Sequence, residues 1–90
     1  MRISFDSAKR RKTLRERGLD LADAGKVFAG PHFEDIDDRF DYGEDRYITV
    51  GLLDETVVVM VWTPRGSARR IISMRKANAA ETQNFFSILG

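Results

Sequence analysis

The second half of the chain carries the clearest pattern of apolar and polar positions. Alternation predicts a strand over residues 46–52, and the continuous apolar run within residues 56–63 predicts a strand buried on both faces. A third strand is predicted over residues 69–74, where Ile71, Ile72 and Met74 supply apolar and partly β-branched bulk. The short connections between these segments favour an antiparallel meander.

The first third of the chain predicts one short strand followed by two helices. Residues 2–5 alternate polar and apolar side chains, which is typical of a strand. Asp6 is a suitable N-cap for a polar helix over residues 7–17, which Gly18 would end. A second helix is predicted from Asp20 to Gly30-Pro31, because its apolar side chains recur at helical spacing.

The remaining segments are an acidic stretch and a last helix. Residues 32–43 are predicted to form a loop, because acidic side chains dominate there and only isolated apolar side chains interrupt them. Asn78 and Glu81 have the spacing of a capping box and predict a helix over residues 79–89. Its apolar face is expected to pack on the sheet or to be covered by a partner.

Together these elements predict a single α+β domain over residues 1–90. The expected architecture is a small antiparallel sheet of three to four strands, flanked by two N-terminal helices and one C-terminal helix. The chain has no cysteine, so disulfides, a thiol nucleophile and thiolate metal sites are excluded, and one histidine excludes a multi-histidine metal site. No run approaches the about 20 apolar residues of a membrane span, and we expect a cytoplasmic protein without membrane contact.

The charges are segregated along the chain although the net charge is only +1. Residues 2–17 and 65–76 are mainly basic, and residues 34–45 are mainly acidic. The basic segments could converge on one face that binds RNA, DNA or an acidic protein. The alternative is that the cations are solvated or paired with the acidic segment. The acidic segment itself could be a solvated loop, a cation site or a docking surface for a basic partner.

The order of several short motifs resembles the BrnT toxins of bacterial type II toxin–antitoxin systems, within the wider group of RelE-like ribonucleases. The first motifs are Phe5-Asp6 with Lys9, and the basic helix that ends in Gly18. The later ones are Asp41-Tyr42-Gly43-Glu44 with Arg46, Thr49-Val50-Gly51, and residues 70–77 with Glu81. Thr13 and Arg17 stand where the family often has Asn and His.

The resemblance implies a RelE-like fold and a small toxin that cleaves RNA without a cofactor. It also implies a partner, a BrnA-like antitoxin of the ribbon-helix-helix class. The pair is expected to form a heterotetramer that represses its own operon, so that the toxin would meet operator DNA only through the antitoxin complex.

Metal-free RNA cleavage needs a base for the 2′-hydroxyl proton, cations for the charged phosphorane and an acid for the leaving oxygen. Arginine suits the second role because its planar guanidinium matches phosphate oxygens. We expect Arg75 first, then Arg46, and also Arg70 to serve here. Glu44 and His32 are the candidate bases, since histidine changes charge near neutral pH. Further RNA contacts are expected from Lys9, Lys12, Tyr47, Arg69 and Lys76.

Two other functions are compatible with the same residues. The chain could be a non-catalytic module that retains nucleic acid or an acidic partner on its basic face. It could also be a purely structural partner whose helices bury a second chain. Trp62 could stack on a base, although a tryptophan in an apolar strand belongs more often to the core.

Overall fold

The computed structural model describes residues 2–90, in which five strands form one sheet with the spatial order β1-β5-β4-β3-β2. The strands are β1 (Arg2–Ser4), β2 (His32–Ile36), β3 (Tyr47–Leu53), β4 (Thr56–Arg65) and β5 (Ala68–Lys76). The helices are α1 (Ser7–Arg17), α2 (Ala24–Ala29), which follows a 3-10 turn at Leu21–Asp23, and α3 (Ala79–Leu89). The α+β class is therefore confirmed.

The predicted strand number was wrong because the segment expected to be an acidic loop contains a strand. β2 pairs antiparallel with β3 along the edge of the sheet, with Phe33 opposite Val50. Charged side chains are tolerated on such an edge, where only one side of the strand is paired. Phe33 packs edge to face on Phe85 of α3, with ring centroids 5.4 Å apart. This contact helps to anchor a strand whose side chains are mostly polar.

The sheet is mixed rather than purely antiparallel. β1 runs parallel to β5, with Arg2 opposite Ala68 and Ser4 opposite Arg70, whereas β2, β3, β4 and β5 pair antiparallel in sequence. Parallel neighbours need a long connection, and here the whole chain between β1 and β5 provides it. The predicted meander of three strands is confirmed for β3, β4 and β5.

Local capping explains where the helices begin and end. The Asp6 carboxylate accepts a hydrogen bond from the Lys9 N–H at 2.9 Å, and Gly18 ends α1 in the left-handed conformation at φ 67°. The Asp20 carboxylate instead accepts a hydrogen bond from the N–H of Ala22, only two residues ahead, and this favours a tight turn before α2. The predicted second helix is therefore divided. The capping box of Asn78 and Glu81 is confirmed.

The sheet has one face covered by helices and one face that is largely open. On the helix-covered face, apolar side chains of the sheet pack against the segment from Leu19 to α2 and form the core: Leu19, Leu21, Ala24, Val27, Leu53, Val58, Met60, Trp62, Ile71 and Met74. The open face carries Ile48, Val50, Val59 and Val61, and α3 covers only one end of it through Phe85, which is 1% exposed. The burial of β4 on both faces is confirmed at residues 57–60.

A β-bulge in β5 decides which of its side chains reach the open face. Val61 of β4 pairs with Ser73 and Trp62 pairs with Ile71, so that Ile72 is an extra residue on β5. Side chains alternate along a regular strand, and a bulge shifts this alternation by one position. Arg70 and Arg75 are five positions apart, and in a regular strand this odd spacing would place them on opposite faces. The extra residue in the bulge brings Arg70 to the open face together with Arg75.

None of the helices within residues 2–90 is both long enough and apolar enough to cross a membrane.

Candidate active site

Two neighbouring hollows on the open face bring together cations from α1, from the strands and from the segment between β2 and β3. The first, which we call the cation hollow, has a volume of about 240 Å³ and is lined chiefly by polar and charged side chains: Asp6, Lys9, Glu44, Arg46, Arg65 and Arg70. The second, the sheet hollow, has a volume of about 410 Å³. Its floor is made by the apolar side chains of the open face, and its polar lining is Arg17, Arg39, Ser73, Arg75 and Glu81.

Different elements deliver the arginines to these hollows. Arg46 directly precedes Tyr47, which lies on the helix-covered face, so the alternation of the strand directs Arg46 to the open face. Arg70 reaches the same hollow because of the bulge at Ile72. Arg75 pairs with Val59 of the open face and lines the sheet hollow. The sheet therefore fixes all three guanidinium groups on one side of the molecule.

Glu44 holds two of the arginines in the cation hollow. Its carboxylate accepts hydrogen bonds from Arg46 Nε at 3.1 Å and from an Arg65 Nη at 3.2 Å. These hydrogen bonds, that of Arg46 above all, lower the pKa of Glu44. The Arg46 guanidinium also lies over the Tyr42 ring, 3.9 Å from its centroid. Arg70 has no carboxylate within 4 Å among residues 2–90.

Lys9 enters the cation hollow from the first turns of α1. Among residues 2–90 its ammonium forms no ion pair with a carboxylate. Lys9 is exposed as a residue, but the walls of the hollow partly desolvate its ammonium, which is the first cause that lowers the pKa of Lys9, and the positive charges of Arg17, Arg46 and Lys12 act in the same direction. Asp6 alone opposes them. These surroundings therefore make Lys9 lose its proton more readily than a lysine side chain in water does.

In the sheet hollow, two arginines are paired with carboxylates in fork geometry. Arg75 donates to both oxygens of Glu81 at 2.8 Å, and this contact contributes most to lowering the pKa of Glu81 to about 2. Arg39 donates to both oxygens of the buried Asp37 at 2.7 and 2.9 Å, which lowers the pKa of Asp37 to about 2. Both carboxylates therefore stay ionised at neutral pH and hold their arginines in place.

Three of the side chains expected to act on RNA lie on the helix-covered face. His32 Nδ1 is 2.8 Å from the Gly30 carbonyl oxygen. Tyr47 stacks on Trp62 with ring centroids 4.9 Å apart, and the Arg69 guanidinium lies 4.8 Å from the Trp62 centroid. Trp62 is itself buried and donates from Nε1 to Thr49 Oγ1 at 2.8 Å, as the core assignment predicted.

The two remaining candidates are lysines outside both hollows. Lys76 borders a separate surface cleft whose lining includes Asp20, Asp23 and Asp54. Lys12 is exposed on α1, close enough to Lys9 to affect its titration. Of the predicted residues, the structure brings together Lys9, Glu44, Arg46 and Arg70 in one hollow and places Arg75 in the adjoining one.

Sequence reasoning missed several side chains that line the hollows. Arg17 donates to the Met74 carbonyl oxygen at 2.8 Å and lines the sheet hollow from the end of α1. Arg39 was visible in the sequence as the single cation of the acidic segment, and its isolation there was a usable signal. Arg65 carried no such signal, because its role depends on how the loop that holds Glu44 packs beside the sheet. Residues 2–90 contain no group of three or more His, Asp or Glu side chains placed to hold a metal ion.

Comparison with known proteins assigns the chain to a family. A search among curated proteins finds no match. A family model described as "Ribonuclease toxin, BrnT, of type II toxin-antitoxin system" matches residues 5–81. The matched region contains β2–β5, α1 and α2, and every side chain that lines the two hollows. The chain therefore belongs to the BrnT family of ribonuclease toxins of type II toxin–antitoxin systems.

Proposed function

We propose that this chain is an endoribonuclease that cleaves RNA without a metal ion, using the cations of the open face. The observation that carries the proposal is the convergence of Arg46, Arg70 and Lys9 in one hollow, beside a second hollow with Arg75. Cleavage of RNA concentrates negative charge on the scissile phosphate, and preorganised cations stabilise that charge most strongly in the transition state. Always-charged guanidinium groups on a rigid sheet provide such preorganisation.

The two hollows suggest a division of roles. Arg70 has no carboxylate partner among the described residues, so it is available to the scissile phosphate without breaking an ion pair. Arg46 would either give up its hydrogen bond to Glu44 and bind the phosphate, or bind both groups at once. Arg75 and the apolar floor of the sheet hollow would hold the neighbouring nucleotide, with its base on the floor and its phosphate on the arginines. We propose contacts of Lys12 with the RNA beyond the hollows.

The predicted proton carriers fit this scheme less well than the predicted cations do. Glu44 is held by two arginines that lower its pKa and so weaken it as a base. His32 lies on the helix-covered face and faces neither hollow. We propose no catalytic role for His32, Tyr47, Arg69 or Lys76. The same observations favour the second candidate function, a module that binds RNA on the open face without cutting it.

The family implies an antitoxin partner, and we propose that it is a BrnA-like protein of the ribbon-helix-helix class. The proposed assembly is a heterotetramer in the cytoplasm that binds operator DNA only through the antitoxin. The exposed apolar side chains of α3 support a partner surface: Phe86, Ile88 and Leu89 are 47%, 58% and 44% exposed. Apolar side chains grouped in this way on one small helix are typical of surfaces that bind another protein.

The test is incubation of the purified chain with single-stranded RNA in the presence of EDTA, followed by mapping of the RNA ends. We expect cleavage products that carry a 2′,3′-cyclic phosphate and a 5′-hydroxyl, because the 2′-oxygen is the nucleophile. Expression of the chain without its antitoxin should stop growth. Intact RNA with salt-dependent retention on the protein would contradict the nuclease and support the binding module.

A further inference from the structure

The cation hollow contains few groups that can carry a proton. Three of its lining side chains, Arg46, Arg65 and Arg70, are guanidinium groups, which serve proteins as fixed cations and not as proton carriers. Of the other lining side chains, Asp6 caps α1, and Glu44 accepts hydrogen bonds from two arginines. Among residues 2–90, Lys9 is the remaining lining group that could exist in both protonation states, and it forms no ion pair with a carboxylate there.

The position of Lys9 is set by the start of α1. Lys9 follows the Asp6 cap by three residues, and its own backbone N–H donates to the capping carboxylate at 2.9 Å. The cap fixes the first turn of the helix, and the first turn directs the Lys9 side chain to the hollow that Arg46 and Arg70 line. A proton carrier and two phosphate-binding cations therefore share one concavity.

We propose that Lys9 is the general base of the nuclease, accepting the proton of the 2′-hydroxyl adjacent to the scissile phosphate. The proposal rests on the proposed nuclease function and assigns to its site a proton carrier that replaces Glu44 and His32. It gives Lys9 a role beyond binding phosphate, because a binding role needs only its charge and the base role needs its neutral form.

The neutral amine of Lys9 takes the 2′-hydroxyl proton, a bond forms between the 2′-oxygen and phosphorus, and the bond from phosphorus to the 5′-oxygen breaks. The leaving 5′-oxygen takes a proton from water, and the Lys9 ammonium returns its proton to the solvent. The products are a 2′,3′-cyclic phosphate and a 5′-hydroxyl, with no net gain or loss of protons.

The charges around Lys9 favour its neutral form. Cations face it from α1, β4, β5 and the segment before β3, namely Arg17, Arg46, Arg65, Arg70 and Lys12. The nearby anions are Asp6 and Glu44. Both anions are engaged, Asp6 with the helix cap and Glu44 with Arg46 and Arg65. Partial desolvation in the hollow and positive neighbours lower the pKa of Lys9, although the residue is exposed, and this brings the pKa closer to the pH at which the protein works.

The experiment compares Lys9→Arg with Lys9→Met under single-turnover conditions at saturating RNA. Lys9→Arg keeps the positive charge but has no neutral form, so we expect RNA affinity to be retained and cleavage to fall by about 10²–10⁴-fold. Lys9→Met should lose cleavage to a similar degree and also lose one phosphate contact, which lowers the salt dependence of RNA binding by about 0.7 in slope.

The pH profile gives the readout that a merely structural role would not change. The rate for the wild type should rise with pH and level off at a pH below the ordinary titration range of lysine, and Lys9→Arg should lack this plateau. Lys26→Met is the matched control, because Lys26 lies on α2 beside Asp23 and lines neither hollow. The Lys26→Met protein should cleave RNA at the same rate as the wild type.

Two results would overturn the proposal in distinguishable ways. If the wild type cleaves RNA and Lys9→Arg cleaves it at the same rate with the same pH profile, Lys9 is not the base and the nuclease itself stands. If the wild type cleaves no RNA at any pH, the nuclease falls together with the role of Lys9.

Discussion

Replacement of Arg46 by alanine is expected to lower the rate of RNA cleavage by about 10²–10³-fold, the cost typical of removing one preorganised donor from a charged transition state. Arg46 is half-buried directly before β3, between the Tyr42 ring and the Glu44 carboxylate. Its guanidinium is therefore held in one place before RNA arrives. Water cannot replace such a group at equal strength, because its dipoles must reorganise as charge develops.

The measurement is single-turnover cleavage of a short RNA, with folding of the variant checked by circular dichroism. Arg15→Ala is the matched control, since Arg15 is an exposed arginine of α1 that lines neither hollow. Arg15→Ala removes the same charge and should leave the single-turnover rate of cleavage unchanged. A folded Arg46→Ala protein that cuts RNA as fast as the Arg15→Ala protein would show that the cation hollow does not hold the scissile phosphate.

Replacement of Gly51 by alanine is expected to destabilise the fold by about 1–3 kcal/mol, the usual cost of adding a methyl group where no space exists. Gly51 lies in the middle of β3, under α2. A Cβ there would lie 2.7 Å from Val27 Cγ1, 2.9 Å from His32 Cβ and 3.2 Å from the Pro31 carbonyl oxygen. The last two atoms belong to the chain that enters β2, so relief requires that strand to move.

Chemical denaturation of Gly51→Ala and of Gly25→Ala measures this effect against a matched change. Gly25 lies inside α2, and the nearest atom to an added Cβ is Ile3 Cγ1 at 4.0 Å. Alanine is favoured over glycine in a helix, so Gly25→Ala should stabilise the protein by about 0.4–1 kcal/mol. The expected shifts have opposite signs. A Gly51→Ala protein as stable as the wild type would show that α2 and β3 are packed less closely than the structure has them.

The sequence predicted the central sheet because its strands are apolar, and it missed β2 for the same reason. β3, β4 and β5 bury side chains such as Met60 and Ile71, and burial leaves a periodic pattern in the sequence. β2 buries little, since its acidic side chains face solvent at an edge and only Phe33 has an apolar contact with α3. A strand whose stability comes from backbone pairing with a neighbour has no strong pattern of its own.

The site was predicted in composition but not in arrangement. Strand alternation would have separated Arg70 from Arg75, and only the extra residue at Ile72 puts both on the open face. A bulge depends on how two strands align, and the local sequence of β5 contains no pattern that predicts it. His32 was chosen by residue type, and its position on the helix-covered face follows from its pairing with Gly51 in a strand that was not predicted.

The family assignment was accessible from short motifs because these motifs lie where the fold constrains residue type. Gly51 has no space for a side chain, and Gly18 ends α1 at a positive φ. Asp6 caps α1, Glu81 completes the capping box of α3 with Asn78, and Glu81 is also the partner of Arg75. The family model that matches residues 5–81 agrees with this reading of the motifs.

The central proposal is that RNA lies on the open face, against guanidinium groups delivered by β5 and by the segment that enters β3. NMR titration with a short RNA that carries 2′-O-methyl groups, and so cannot be cleaved, tests it most directly through the Nε–H signals of the arginines. We expect the signals of Arg46, Arg70 and Arg75 to shift on addition of the RNA, and these shifts should weaken as salt rises. Shifts confined to Arg69 and the ring of His32, with those three arginines unperturbed, would contradict it.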